Sequence, residues 1–395
     1  MKKSVKLLCV IMAVVFATVA LAACGGSAAK PADGGNAGGA SGAATFKLGF
    51  IGPLTGGAAI YGTAAQNGAQ IAVDEINALG GDIQFEFKAE DDVHDAETSV
   101  NAYNNLVDWG MQALVGCVTS TPCAAVAPKA FEDRVFAVTP SASSTDVLKD
   151  NDNMFQVCFT DPNQGVASAD YLAENKNGAK VAVIYKNDDN YSQGIRDTFI
   201  KEAEAKNLEV VYEGTFTTDT GTDFSVQLTA AQSAKADVLF LPIYYQPASV
   251  ILQQADAMGY APLVFGVDGM DGILTMEGFD AKLAEGVMLL TPFSADATDD
   301  LTKSFVATYN DKFGETPNQF AADAYDAVYI IYNAIKEGKL TADMSKEDLC
   351  DKFIAAITSM SYDGLTGQGM TWNEEGEVSK APMAVVIKDG VYVTP

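Results

Sequence analysis

Basic side chains are scarce in this chain of 395 residues. Histidine occurs once, at His94, and arginine twice, at Arg134 and Arg196, while 25 Lys plus Arg face 52 Asp plus Glu. A formal charge of −27 makes nucleic acid a poor partner, because the phosphate backbone is bound through clustered Lys and Arg. One histidine excludes zinc sites built from several imidazoles, and it excludes Ser-His-Asp chemistry anywhere away from residue 94. That histidine lies in Asp91-Asp92-Val93-His94-Asp95, which has no Ca²⁺-loop spacing; Asp95 before Ala96-Glu97 reads as a helix cap. Gly-x-Ser-x-Gly is absent, which argues against an exported hydrolase. Gly-Lys-Ser/Thr is absent too, and Gly364, Gly367 and Gly369 have the wrong order for a dinucleotide fingerprint. No metal, cofactor or catalytic residue is expected.

Long apolar runs are missing as well, with one exception. Lys2, Lys3 and Lys6 precede an apolar run over 7–23 that ends in Leu21-Ala22-Ala23-Cys24, followed by Gly25-Gly26-Ser27. A run of 17 residues is at the short limit for a bilayer span. A basic start, a short apolar core and small residues before a cleavage point are what export machinery reads. Cys24 directly after those small residues resembles a lipobox, so 1–23 is expected to be a lipoprotein signal peptide and Cys24 the lipidated N-terminus of the mature chain. The leader carries three lysines and no carboxylate, so its loss takes the formal charge from −27 to −30. Residues 24–44 are almost wholly Gly, Ala and Ser and predict a flexible tether with a reach of roughly 25 Å. The expected location is the extracytoplasmic face of the membrane, held by lipid alone, and points to a Gram-positive cell surface. Cys117, Cys123, Cys158 and Cys350 remain; outside the cytoplasm they allow a disulfide, for instance between Cys117 and Cys123, or buried thiols.

From Thr45 onward, short β-branched or aromatic runs alternate with helical patterns, the texture of an α/β fold. Strands are predicted at 46–51, 85–89, 113–115, 135–138, 181–185, 210–215, 238–241, 263–265 and 287–290. Between them lie helices such as the one carrying Ala65, Ala69, Ala72, Ile76 and Leu79, stopped by Gly80-Gly81. A further helical stretch spans 299–337. About 350 residues after the leader exceed what one core usually supports, and the repetition predicts two doubly wound parallel-sheet lobes.

Four stretches together resemble one family. They are Gly49-Phe50-Ile51-Gly52-Pro53-Leu54-Thr55-Gly56 running through Tyr61-Gly62 to Gly80-Gly81; Val115-Gly116 to Ser120-Thr121 with Thr139-Pro140-Ser141-Ala142-Ser143-Ser144; Asn190-Tyr191-Ser192-Gln193-Gly194; and Tyr244-Tyr245 with Gly266-Val267-Asp268-Gly269. The chain resembles, over 45–395, the type I periplasmic binding proteins, specifically the branched-chain amino-acid-binding receptors of ABC importers. The resemblance implies two lobes joined by three crossings, near 158–162, 291–292 and 380–384. The first lobe would then take 45–160 plus 292–381, and the second 161–291 plus 382–395. It also implies an amino-acid ligand enclosed between them, ABC permease subunits as partners, no nucleic acid, a monomer and no chemistry. A sensory module using the same cleft, or a receptor for a small amide, is the alternative.

The implied site divides by ligand group. For a carboxylate, Ser120 and Thr121 sit at a predicted helix start, where free N–H groups and the helix dipole favour an anion; Ser141, Ala142 and Ser143 lie at the matching end of the next strand. For an ammonium, Asp268 offers a charge-assisted acceptor. For an aliphatic side chain, Tyr61 and Phe320 of the first lobe and Tyr191 and Tyr244 of the second supply apolar walls. Tyr245, placed next to Tyr244 on one strand, should face away.

Overall fold

The computed structural model describes residues 44–395, and in it each of the nine predicted segments is a strand. The apolar run at 7–23, Cys24 and most of the expected tether lie outside the described residues. The chain begins β1 (Ala44–Gly52), α1 (Ala59–Ala78), β2 (Ile83–Asp91), α2 (Ala96–Trp109), β3 (Ala113–Gly116), α3 (Ser120–Glu132), β4 (Phe136–Thr139), β5 (Met154–Gln156) and α4 (Asp161–Asn175). It continues β6 (Lys180–Lys186), α5 (Asn190–Ala205), β7 (Glu209–Phe216), α6 (Ser225–Ser233), β8 (Val238–Leu241), α7 (Tyr245–Ala257), β9 (Leu263–Gly266) and β10 (Met288–Thr291). It ends α8 (Asp300–Phe313), α9 (Gln319–Gly338), α10 (Lys346–Ser359), β11 (Met383–Lys388) and β12 (Val391–Val393).

Two sheets result. One has the order β2-β1-β3-β4-β5, the other β12-β11-β10-β9-β8-β6-β7. All pairings are parallel except β10 with β11 and β11 with β12. Strands β3, β4, β8 and β10 are buried along their whole length, as expected for parallel strands covered by helices on both faces. The chain leaves the first sheet after β5, leaves the second after β10, and returns to the second at β11. Helix α9 packs against α1, β3 and β4, so the long helical return belongs with the first sheet. The close approach of α1 to α9 depends on a missing side chain: a Cβ on Gly68 would lie 1.9 Å from the Ala321 carbonyl oxygen.

Three expectations change. The stretch predicted over 299–337 is two helices, broken where Gly314 takes φ +74° and Pro317 follows. Strand β5 was not anticipated, because Gln156 interrupts its apolar run; its buried amide nitrogen is satisfied by donating to Ala142 O (2.8 Å) and Ser144 O (3.3 Å). Tyr244 and Tyr245 are not on a strand: β8 stops at Leu241 before Pro242, Tyr244 is the N-cap of α7 and Tyr245 its first residue. All four described cysteines are buried free thiols. Among the described residues no helix is long and apolar enough to cross a membrane.

Candidate functional site

Parallel strands deliver loops at their carboxyl ends, and a crevice there is where α/β sheets take ligands. The ends of β3 and β4 bring Ser120, Ser141, Ala142 and Ser143 together. Ser120 opens α3, and its Oγ accepts from the Ser144 N–H (3.2 Å). Ser141 Oγ donates to Val118 O (2.5 Å). The Ala142 N–H donates to Thr139 Oγ1 (2.9 Å), which donates in turn to Cys117 O (2.7 Å). Thr139, absent from the sequence-derived set, therefore ties the two loops into one surface. Ser143 Oγ donates to Asp161 Oδ1 (2.6 Å) at the start of α4. Thr121 is turned elsewhere: its hydroxyl reaches across to the second sheet's elements and donates to Asp189 Oδ1 (3.1 Å), the residue whose other oxygen caps α5. Beside it, Asn190 Nδ2 donates to Asp146 Oδ2 (2.9 Å), a second bridge of the same kind.

The four aromatic residues also converge. The Tyr61 ring lies 4.6 Å from Phe320 and 5.4 Å from Tyr244, which stacks on Tyr191 at 4.6 Å and 6°. Tyr61 does more than form a wall. Its hydroxyl donates to Gly269 O and accepts from the Tyr245 N–H (3.0 Å), so a residue of α1 clasps two backbone groups of the other sheet's loops. Tyr245, expected to face away, packs edge-on against Tyr61 at 5.1 Å, because the start of α7 turns it inward where a strand would not.

Asp268 follows β9 and opens a 3₁₀ turn, Asp268–Met270. It is only 3% exposed. Tyr191 OH donates to its Oδ1 (2.6 Å) and accepts from the Gly269 N–H (2.8 Å). Its own N–H donates to Gln164 Oε1 (3.1 Å), and its carbonyl accepts from Gln319 Nε2 (3.1 Å). Burial pushes the carboxyl up to about 7, against the lowering effect of the Tyr191, Gln164 and Gly269 donors. Gly269 can be nothing larger: a Cβ there would meet Tyr191 OH at 2.5 Å and Tyr244 at 2.9 Å.

His94 belongs to this cleft. Its Nδ1 is 2.9 Å from Thr119 Oγ1, and its ring meets Tyr244 edge-on at 5.4 Å. Burial holds its pKa below the ordinary histidine value. Asp95 caps α2 by accepting from the Thr98 N–H (2.8 Å). Among the described residues no three His, Cys, Asp or Glu side chains are grouped as metal ligands would be. Gln164, Thr139 and His94 escaped the sequence-derived set: His94 figures in the sequence only as a metal-ligand candidate, Thr139 stands in a motif read for its serines, and Gln164 carries no signal of its own.

Two α/β sheets whose carboxyl-end loops bring serine hydroxyls, stacked aromatic rings and a buried carboxylate together are the arrangement of a solute-binding protein. Residues 45–390 match the family described as periplasmic binding protein, and the chain belongs to that family. Leu/Ile/Val-binding protein homolog 3 of Brucella melitensis is 31% identical over 347 residues, which cover 85% of this chain and 89% of the relative. The branched-chain amino acid transporter substrate-binding protein LivJ of Streptococcus pneumoniae, solved in complex with isoleucine, is 30% identical. It matches with a TM-score of 0.79 over 89% of this chain and 100% of its own. A solute-binding protein of an ABC transporter from Rhodopseudomonas palustris, solved with 3,4-dihydroxybenzoic acid, shares the fold at 22% identity and a TM-score of 0.78, over 89% of this chain and 96% of its own.

Proposed function

We propose that this chain is the extracytoplasmic receptor of an ABC importer, that it carries an aliphatic amino acid to the permease, and that it performs no chemistry on its ligand. The observation that bears most on this is the buried Asp268 carboxylate: it accepts from Tyr191 OH, its backbone N–H is joined through Gln164 to Ser143, and no Lys or Arg is hydrogen-bonded to it. An ammonium is the ligand group such a carboxylate favours. Ser120, Ser141, Ala142 and Ser143 would face the ligand carboxylate through backbone amides and the Ser120 hydroxyl, since the Ser141 and Ser143 protons are given to Val118 O and Asp161, and Tyr61, Tyr191, Tyr244 and Phe320 would enclose the side chain. Thr121, engaged with Asp189, acts on this reading in holding the lobes together. The lobes are taken as 45–160 plus 292–381 and 161–291 plus 382–395. Ligand bound to both would favour their closure, and the permease would read the closed surface. The LivJ complex with isoleucine and the Leu/Ile/Val-binding relative support the aliphatic choice.

Titration calorimetry with leucine, isoleucine, valine, glutamate and aspartate tests it. Glutamate and aspartate are expected to bind at least about 30-fold more weakly, about 2 kcal/mol, since the chain is strongly acidic and no arginine stands in the cleft motifs to receive a second carboxylate. Equal binding of glutamate and leucine would sink the assignment.

The anchor is part of the same proposal. With Cys24 lipidated, the receptor stays within reach of its permease as a monomer on the outer face of the membrane. Expressed with its leader in a bacterial host, the chain is expected to incorporate radiolabelled palmitate, and Cys24→Ser to incorporate none; equal labelling of both would refute the lipidation site.

A further inference from the structure

Helix α9 is 20 residues long and has no acidic residue in its first turn, so the positive end of its dipole is not met by a charge of its own. Its N-cap Asn318 takes the Ala321 N–H on Oδ1 (3.2 Å). The Gln319 N–H goes elsewhere: it donates to Oδ2 of Asp271 (3.0 Å), a buried carboxylate that the loop after β9 brings across from the second sheet. Gln319 grips that loop a second time, its Nε2 donating to Asp268 O (3.1 Å). The same carbonyl accepts the Asp271 N–H (2.9 Å), so one residue of α9 holds both ends of the turn from Asp268 to Asp271. Asp271 Oδ1 accepts the Gly272 N–H (2.8 Å) within its own loop, and the Tyr392 hydroxyl of β12 lies 3.4 Å from that N–H. Gly272 takes φ +97°, and a Cβ there would lie 2.6 Å from Ile60 of α1; the loop reaches the helices of the first sheet only because residue 272 has no side chain.

The bonds of this carboxylate have different fates when the two sheets move apart. Those to Gly272 and Tyr392 stay within the chain of the second sheet, whereas the bond to α9 exists only while the sheets are together. We propose that Asp271 is a positioning residue for ligand binding, a latch that caps α9 in the closed form alone and so adds to ligand affinity without touching the ligand. This rests on the reading above, in which the ligand lies between two closing lobes. A receptor whose closed form is populated for a fraction of the time has its affinity lowered by that fraction, and a carboxylate delivered to a helix start raises the fraction. The contribution is the same for every ligand that the closed form encloses. Asp271 thus sets how tightly the receptor holds, and the choice among side chains is left to the cleft.

Two variants test it. Asp271→Asn keeps the shape and one acceptor oxygen and loses the charge. Gln319→Glu places a carboxylate that suits the start of α9 in the open form and stands against Asp271 and the Asp268 carbonyl in the closed one. Calorimetry with leucine, isoleucine and valine and urea unfolding of the ligand-free protein are measured on the wild type and on both variants. Asp271→Asn is expected to bind all three amino acids about tenfold more weakly, by one common factor, with an unchanged urea midpoint. Gln319→Glu is expected to weaken binding at least as much while its midpoint is kept or raised. Affinities of Asp271→Asn within about twofold of wild type overturn the proposal. A loss that differs among the three ligands overturns it too, by making Asp271 a ligand contact, and so does a loss matched by a fall in the urea midpoint, by making it an ordinary cap of the fold. A wild-type protein that binds none of the three overturns instead the reading on which the latch rests.

Discussion

Replacing Asp268 by alanine lowers the affinity for the preferred aliphatic amino acid about 30- to 100-fold, about 2–3 kcal/mol, because the ligand ammonium loses a charged acceptor in a site where water is excluded. Calorimetric affinity unchanged in Asp268→Ala would remove this residue from the site. The same carboxylate sets a pH dependence. Burial holds it at about 7, so near neutrality a proton must leave before the ammonium is received. Affinity should therefore rise between pH 5.5 and 8 and level off above, and Asp268→Asn should flatten that part of the curve. The groups that face it are the Tyr191 hydroxyl, the Gly269 amide, Gln164 and the carboxylates of Asp323 and Asp161, of which Asp161 is also held well above the ordinary value by burial. The stability of the free protein moves the other way. A carboxyl raised from 3.8 to about 7 contributes stability that is full below the unfolded value and is lost as pH rises through 7, so ligand binding strengthens where this contribution weakens.

What could be read from the chain and what could not follow from the range of the forces involved. The central strands were legible because parallel strands covered on both faces are short apolar runs, and Phe136 to Thr139 or Val238 to Leu241 have few other places to go; the half-exposed edge strands β2 and β7 showed through their β-branched and aromatic residues instead. Asp268 and the serine loops were legible through the resemblance of their motifs, since a lone aspartate in a chain with 52 acidic residues carries no signal of its own. Tyr61 was legible as an aromatic wall, whereas its hydroxyl clasp on Gly269 and Tyr245 joins residues 208 and 184 positions away and follows only from how the two sheets meet. Tyr245 was misplaced because adjacent tyrosines after an apolar run have the local look of a strand, and the deciding residue was Pro242, which cannot extend the ladder of β8.

Lys380→Ala is the substitution with the largest expected cost to the fold, about 3–5 kcal/mol. Lys380 Nζ donates to Asp323 Oδ1 (2.7 Å) and to Thr366 Oγ1 (2.7 Å), and the two ionic side chains are 3% and 2% exposed. They lie where α9 meets the segment leading into β11, the third predicted crossing. Burial raises the Asp323 carboxyl against the lowering effect of Lys380 and Thr366; the desolvation of a buried ion pair offsets much of its attraction, so the pair is not a large net source of stability. Its removal by halves is a different matter. Alanine at 380 strands the Asp323 carboxylate in a dry site, next to Asp326, whose oxygens are already held by the Leu365 and Thr366 amides at 2.9 Å. The double change Lys380→Met with Asp323→Leu removes both charges at similar volume and should recover most of the loss, although Thr366 Oγ1 keeps its bond to Asp326 Oδ2 (2.7 Å) in either case. Urea unfolding of the three proteins gives the comparison. Lys380→Ala within about 1 kcal/mol of the wild type would show that Asp323 has another way to be neutralised there. Leucine affinity of the double variant then separates two roles for the pair: kept, it serves packing at the crossing; lost with the fold intact, the charges also hold α9 where Gln319 and Phe320 meet the site.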